Sequence, residues 1–193
     1  SAVTELNLEQ NGPFIKVNEK METTHDHVYA VGDVIGGWQL AHAASAEGIV
    51  AANNAAGEMD VIDYKVMPRC IYTLPEIASV GLSEEEAKKQ GLDVRVEKFD
   101  FAGSGKALSA GEPEGFTKII YEAKYGEIIG VVMAGSHVTE MISEASAFMY
   151  LEGTIDEAAK MIHPHPSLSE TFYEAAVNAV NKLKTQKAIQ SAV

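Results

Sequence analysis

The sequence predicts an α+β fold, an antiparallel sheet packed with helices, preceded by a short α/β segment. Three observations predict it. The character of the chain changes at Met67-Pro68, from an opening that reads strand, turn, helix to a strand-rich remainder. Two apolar runs, Phe116–Glu122 and Ile128–Ala134, flank Lys124-Tyr125-Gly126 in the manner of a β-hairpin. Helices follow that hairpin, one of them opened by the Thr154/Glu157 capping box. The boundary divides residues 1–66 from residues 67–193.

In the first part, Phe14, Ile15 and Val17 alternate as a strand does. Val28-Tyr29-Ala30-Val31 reads as a second strand that ends at Gly32-Asp33. Gly36-Gly37-Trp38 is a turn, and Leu40–Ala56 is an Ala-rich helix with Gly57 suited to its C-terminal cap. Such small side chains imply close approach of a second helix or a flat ligand.

Beyond Met67, Ile71-Tyr72-Thr73 and Ile77–Val80 read as strands around Leu74-Pro75-Glu76. Ser83 with Glu86 forms a capping box, and Gly91 stops that helix. Val94 and Val96 fall out of phase with Phe99 and Phe101, which predicts a bulge near Lys98. Gly103-Ser-Gly-Lys-Ala-Leu108 is superficially a phosphate loop, but Asp100 stands where a P-loop needs Gly and Leu108 where a dinucleotide fingerprint needs Gly or Ala. It is expected to be a flexible loop. Ile128–Met133 is apolar on both faces and predicts a strand covered on both sides. Helices are expected over Val138–Leu151, Ile155–Ile162 and Ser167–Lys184, with the tail from Gln186 unordered.

Composition excludes several function classes. At 46% apolar and 22% charged, the chain can build a core. No apolar run reaches the roughly 20 residues of a membrane span. Ser1–Glu5 shows neither the basic nor the apolar stretch of a signal peptide. A net charge of −13 disfavours nucleic acid as a ligand. The single cysteine, Cys70, allows no internal disulfide and fits a reducing, cytoplasmic compartment.

Two constellations carry chemistry. In His163-Pro-His-Pro-Ser-Leu-Ser-Glu170, two prolines flank His165 and hold its backbone, with Glu170 five residues on. A carboxylate on one ring nitrogen sets the tautomer, raises basicity and leaves the other nitrogen to take a proton, as a thiol-activating base requires. Ser167-x-x-Glu170 is equally a capping box, in which Glu170 serves only its own helix. His163 reads as a neighbour that shapes the turn. The second constellation joins Asp33, at a strand end, to Gln39-Leu40-Ala41-His42 at a helix start. α/β folds bind ligands at such a place, the acid accepting from sugar hydroxyls and the helix amides attracting electron-rich oxygen. Here too a bland alternative stands: Asp33 caps a turn and His42 is an ordinary helical residue. His25 and His27 lack the companions of a metal site and read as solvated, and His137 reads as a neighbour of a helix cap.

Together these segments resemble the pyridine nucleotide–disulfide oxidoreductase family. The resemblance rests on Tyr29-Ala-Val-Gly-Asp-Val34, Leu40-Ala-His42 with Glu47-Gly48, Tyr72-Thr-x-Pro-Glu-Ile-Ala-Ser-Val-Gly81, Glu114-Gly-Phe-x-Lys-Ile119 and the His163–Glu170 block, in the family's order over residues 12–182. Leu40-Ala-His42 and the double His-Pro are similar to the dihydrolipoamide dehydrogenase branch. Glutathione reductases carry a single His-Pro-Thr, and mercuric reductases lack this histidine.

The resemblance implies a C-terminal remnant of an FAD-binding domain over residues 1–66 and a dimerisation domain over residues 67–193, with helices on one sheet face and a two-fold interface on the other. It implies that Asp33 binds the ribityl chain of FAD and that Gln39, Leu40, Ala41 and His42 line the flavin. His165 would be the base for dihydrolipoamide and Glu170 its orienting carboxylate, serving the disulfide of the other subunit in a homodimer. The implied reaction oxidises dihydrolipoamide to lipoamide, with NAD as final acceptor, for a 2-oxo acid dehydrogenase complex whose core presents lipoyl domains. Ser167 stands where Thr is usual. The family's FAD fingerprint, its Cys-x4-Cys pair and its NAD-binding domain have no counterpart here. The chain is therefore expected to be a fragment that binds neither FAD nor NAD stably by itself, or else an inert dimerisation module or a piece of another flavin disulfide reductase.

Overall fold

The computed structural model describes residues 5–191, and the reading of Ser1–Thr4 lies outside them. Contacts divide the chain into two compact units, with the division between Tyr64 and Lys65.

In the first unit, β1 (Gln10–Asn11) and β2 (Phe14–Ile15) pair as a short antiparallel ribbon. Val28–Val31 forms no strand, contrary to expectation: Tyr29 makes one isolated bridge with Glu22. A strand needs a ladder of partners on at least one edge, and within this unit the segment meets only that one. A 3₁₀ turn over Gly32–Ile35 leads through Gly36 to α1 (Ala41–Ala55). Gly36 has φ +75° and lies against the Phe14 ring, so a side chain there would be both strained and crowded. Gly57, at φ +87°, follows the C-cap of α1 as anticipated.

The second unit is the predicted α+β domain. Its five-stranded antiparallel sheet runs in the order β3 (Arg69–Ile71), β4 (Glu76–Gly81), β7 (Ile128–Gly135), β6 (Gly115–Glu122), β5 (Val94–Asp100). The β6–β7 hairpin forms as read, and Glu122 accepts from the amides of Lys124 and Tyr125 in its turn. Tyr72 and Thr73 belong to the β3–β4 turn rather than to a strand, with the Thr73 hydroxyl donating to the Pro75 carbonyl at 2.7 Å.

No bulge lies near Lys98. β5 pairs with β6 without a break from Val94 to Asp100. The phase change has another cause: Val94 and Val96 pack with Ala87 and Ile120 on one face, while Phe99 packs into the main core on the other. A strand covered on both faces obeys no single alternation. The irregularity falls in β7, where pairing skips Ile129 between Ile120↔Gly130 and Tyr121↔Ile128.

Helices α4 (Val138–Tyr150) and α6 (Glu170–Ser191) contribute to the main core on one face of the sheet. Buried Val138, Met141, Ile142, Ala145 and Met149 form the apolar stripe of α4 at helical spacing. On the opposite face α2 (Glu84–Lys89), opened by the Ser83–Glu86 capping box, sets Ala87 into a second, smaller cluster.

The Gly103–Leu108 segment is not a flexible loop. After a 3₁₀ turn (Phe101–Gly103), Ser104 caps α3 (Gly105–Ala110) by accepting from the Ala107 amide, and Ala107 is fully buried. Burial and a cap outweigh the low helix propensity of its glycines. The expected helix over Ile155–Ile162 shrinks to α5 (Ile155–Ala158), because Met161 and Ile162 are exposed and Pro164 disfavours helix just before it. The last helix starts at Glu170, not Ser167, and continues to Ser191 through residues expected to be unordered. No helix among the described residues is long and apolar enough to cross a membrane.

Candidate active site

His165 stands in the segment between α5 and α6, with its side chain 79% exposed. Its Nδ1 lies 2.8 Å from Glu170 Oε1. A carboxylate only accepts, so Nδ1 carries the proton and Nε2 keeps its lone pair. Glu170 Oε2 accepts from the Ser167 amide at 2.8 Å. This carboxylate therefore makes both contacts at once, one oxygen to the imidazole and one to the Ser167 amide ahead of its own helix. The capping box is only half formed, because Ser167 Oγ is buried without a hydrogen-bond partner among the described residues.

What holds Glu170 was not visible in the sequence. Thr117 on β6 and Thr171 on α6 are both fully buried, with their hydroxyls 2.8 Å apart. The Thr171 hydroxyl donates to the Leu168 carbonyl at 2.7 Å, so Thr117 donates to Thr171. This pins the first turn of α6 to the sheet. Lys182, three turns on, pairs at 2.6 Å with buried Glu97 of β5. Phe99, Ser104 and Glu174 join His165, Glu170 and Thr171 around a shallow cavity of about 140 Å³, so the segment first read as a loose loop forms a wall beside the imidazole.

The Ser167 amide first, and the His165 imidazole second, hold the Glu170 carboxyl below the ordinary carboxylate range. A group whose folded pKa is depressed contributes stability that is present above its unfolded pKa and lost as pH falls through the folded value. Acidification below the usual carboxylate range is therefore expected to release the start of α6. In a proton–nitrogen NMR titration the Ser167 amide shift should follow the Glu170 side chain. An amide that ignores that titration would contradict the assignment.

Two more carboxylates work in ways sequence reading missed. Glu76 of β4 accepts from the amide (3.0 Å) and hydroxyl (2.7 Å) of Thr139, capping α4 from across the fold, while the His137 side chain at the cap position makes no cap hydrogen bond. These bonds hold Glu76 below the ordinary range. Glu144 of α4 meets His163 Nε2 at 2.6 Å.

The second constellation lies in the first unit. Asp33, Gln39, Ala41 and His42 are exposed and Leu40 half-buried. Leu40 occupies the N-cap position of α1 and offers no side-chain cap. Gln39 has φ +48°. Buried Glu47, a residue quoted from the motif but given no role, organises the unit by accepting from the Gly32 amide at 2.7 Å and from the Tyr64 hydroxyl at 2.7 Å. Glu47 thus holds the turn that presents Asp33. An exposed carboxylate and an uncapped helix start with small residues fit a polyhydroxyl chain and an electron-rich ring edge. His25 and His27 are exposed, and among the described residues no three His, Cys, Asp or Glu groups gather as metal ligands. Burial pushes the Cys70 thiol up, the reverse of activation.

Family models match both parts of the chain. Residues 67–176 match the dimerisation domain of the pyridine nucleotide-disulphide oxidoreductases, and residues 1–48 match a second model of the same name. The chain belongs to this family. Within the family, dihydrolipoyl dehydrogenases of Bacillus subtilis (51% identical over 90% of the chain), Thermus scotoductus (47% over 84%) and Chlamydia muridarum (44% over 86%) are similar to it. Among solved structures, the fold matches LpdA from Mycobacterium tuberculosis with a TM-score of 0.85 at 26% identity, covering 92% of this chain and 39% of that one. It matches the HOCl-induced flavoprotein disulfide reductase RclA from Escherichia coli with a TM-score of 0.85, covering 91% and 41%, where 24% identity speaks for the fold alone. The chain spans 36%, 35% and 36% of the lengths of the three dehydrogenases.

Proposed function

We propose that this chain is the C-terminal part of a cytoplasmic, homodimeric dihydrolipoamide dehydrogenase, in which residues 67–193 form the dimerisation domain and supply the base for thiol oxidation. One observation carries the reading. His165 directs Nδ1 at Glu170, 2.8 Å away, which leaves Nε2 as the acceptor on an exposed face. His165 takes the proton of a dihydrolipoamide thiol at Nε2. The resulting thiolate attacks the neighbouring subunit's disulfide, forming one S–S bond and releasing one thiolate. The second thiol of dihydrolipoamide, passing its proton to the thiolate released in the first step, then attacks the substrate sulfur of that mixed bond. It displaces the enzyme sulfur as thiolate, closing lipoamide and leaving that disulfide reduced. Glu170 holds the ring in the useful tautomer and stabilises the imidazolium formed.

FAD, when bound, accepts the two electrons that the reduced dithiol gives up. Asp33 is assigned to its ribityl hydroxyls, and Gln39, Leu40, Ala41 and His42 to the flavin edge, within the remnant formed by residues 1–66. NAD as final acceptor, and lipoyl domains of a 2-oxo acid dehydrogenase core as partners, follow from the similarity to dihydrolipoyl dehydrogenases. No residue described here is assigned to NAD.

In a substrate comparison the intact enzyme is expected to turn over dihydrolipoamide with NAD and to leave glutathione disulfide and coenzyme A disulfide untouched. Preference for either disulfide would replace this reading with that of another flavin disulfide reductase. The purified 193-residue chain is expected to be colourless and inactive, because one cysteine cannot make the redox pair.

A further inference from the structure

His163 lies two residues before His165, and its side chain behaves oppositely. It is 3% exposed, against 20% for its partner Glu144 of α4. Its Nε2 lies 2.6 Å from Glu144 Oε1, its Nδ1 lies 3.1 Å from the Met161 carbonyl oxygen, and its ring stands 5.5 Å from that of Tyr173. A carbonyl oxygen only accepts, so Nδ1 carries a proton. In a neutral ring Nε2 would then face the carboxyl oxygen with a lone pair, and two lone pairs at 2.6 Å repel. The contact therefore needs a second proton between Nε2 and Oε1, whichever atom holds it. Imidazolium–carboxylate and imidazole–carboxylic acid both satisfy this, and both leave the pair with no net charge. That suits a site withdrawn from water, where an unpaired charge is costly. Burial lifts the Glu144 carboxyl while His163 pulls it down.

The exposed base cannot hold itself. His165 bonds to Glu170, which belongs to α6 and is pinned through Thr171 to the sheet. The backbone that carries His165 is tied through His163 to a different helix, α4. Base and carboxylate are thus delivered from two anchors. We propose that Glu144 and His163 are the positioning pair of the active site, holding the His165 segment in register with Glu170 by sharing one buried proton. The inference rests on the reading of His165 as the base. Lys160, Glu170 and Tyr173 line the same cavity as His163 and are the charged or titratable groups that face it beside Glu144.

Glu144→Gln separates a positioning pair from a mere filler. A glutamine amide donates to Nε2 of the neutral ring without any shared proton, while Nδ1–H stays on Met161. Glu144→Ala removes the partner altogether. Long-range proton–nitrogen NMR on the nitrogen-labelled chain reads the tautomer of each imidazole separately. The parent should show a far-downfield, exchange-protected proton for the pair and a His165 held as the Nδ1–H tautomer. E144Q should lose the downfield proton and keep the His165 tautomer, whereas E144A should lose both. An unchanged His165 tautomer in a folded E144A overturns the proposal.

Should E144A fail to fold, the parent decides the matter. As pH rises until the downfield proton vanishes, the His165 tautomer should average at the same point, and independent behaviour overturns the proposal. In the intact enzyme, E144A should lower turnover by on the order of tenfold to a hundredfold, the cost of a small misplacement, with E144Q close to the parent. Because the NMR readout does not depend on turnover, its failure is distinct from failure of His165 as base.

Discussion

His165→Gln is expected to lower dihydrolipoamide turnover in the intact enzyme by about 10²- to 10⁴-fold, the usual contribution of a general base. Glutamine keeps the approximate length of the side chain and can still donate to Glu170 Oε1, but it has no nitrogen lone pair to receive the thiol proton. The loss should therefore fall on the thiol half-reaction and not on flavin reoxidation by NAD. Because the imidazole is 79% exposed, thermal stability should change little. The loss should shrink as pH approaches the thiol range, since solution chemistry then supplies the thiolate directly. A fall of less than tenfold at neutral pH, in a folded variant, would remove His165 from the mechanism. Glu170→Gln should cost less than His165→Gln, since the amide oxygen can still accept from Nδ1, while the charge and the acceptor for the Ser167 amide are lost.

The largest structural effect is expected from Phe172→Ala. Phe172 is fully buried two residues beyond Glu170, with its ring 5.7 Å from that of Phe148. Removing a buried phenyl group loses its transfer free energy and leaves a cavity, together about 3–5 kcal/mol. For a domain of this size the midpoint of thermal unfolding should fall by on the order of 10 °C. Phe172→Leu keeps most of the volume and should cost about 1.5 kcal/mol or less. The truncation sits in the first turn of α6, so it should also loosen Glu170 and lower turnover. A denaturation midpoint unmoved by F172A would contradict the packing of α6 on the core.

Local signals were legible in the sequence and distant ones were not. The β6–β7 hairpin, the boxes at Ser83/Glu86 and Thr154/Glu157 and the stop at Gly91 all depend on residues a few positions apart, and each forms as read. The His165–Glu170 contact was legible for the same reason, because two prolines and five residues leave little freedom. Sequence spacing carries no trace of Thr117 meeting Thr171 over 54 positions, of Glu76 capping Thr139 over 63, or of Glu144 reaching His163 over 19. These contacts exist only once the sheet brings the elements together. Where local reasoning erred, tertiary burial overrode it. Ala107 drew a glycine-rich stretch into a helix, and packing on both faces of β5 imitated a bulge. Val28–Val31 failed in the other direction, since its strand pattern met too few neighbours to pair.

The order β3-β4-β7-β6-β5 leaves two borders to the sheet, and both are poor templates. β3 offers three residues, too short a rail for an incoming chain. β5 is longer but studded with charge, with Lys98 tied to Asp100 and Arg95 to Asp93 just before the strand. Short or charged margins are how proteins discourage edge-on stacking. Copies of this molecule would gain little by zipping backbone to backbone, so the proposed homodimer would have to rely on surfaces made of side chains, where fit rather than ladder bonding selects the mate.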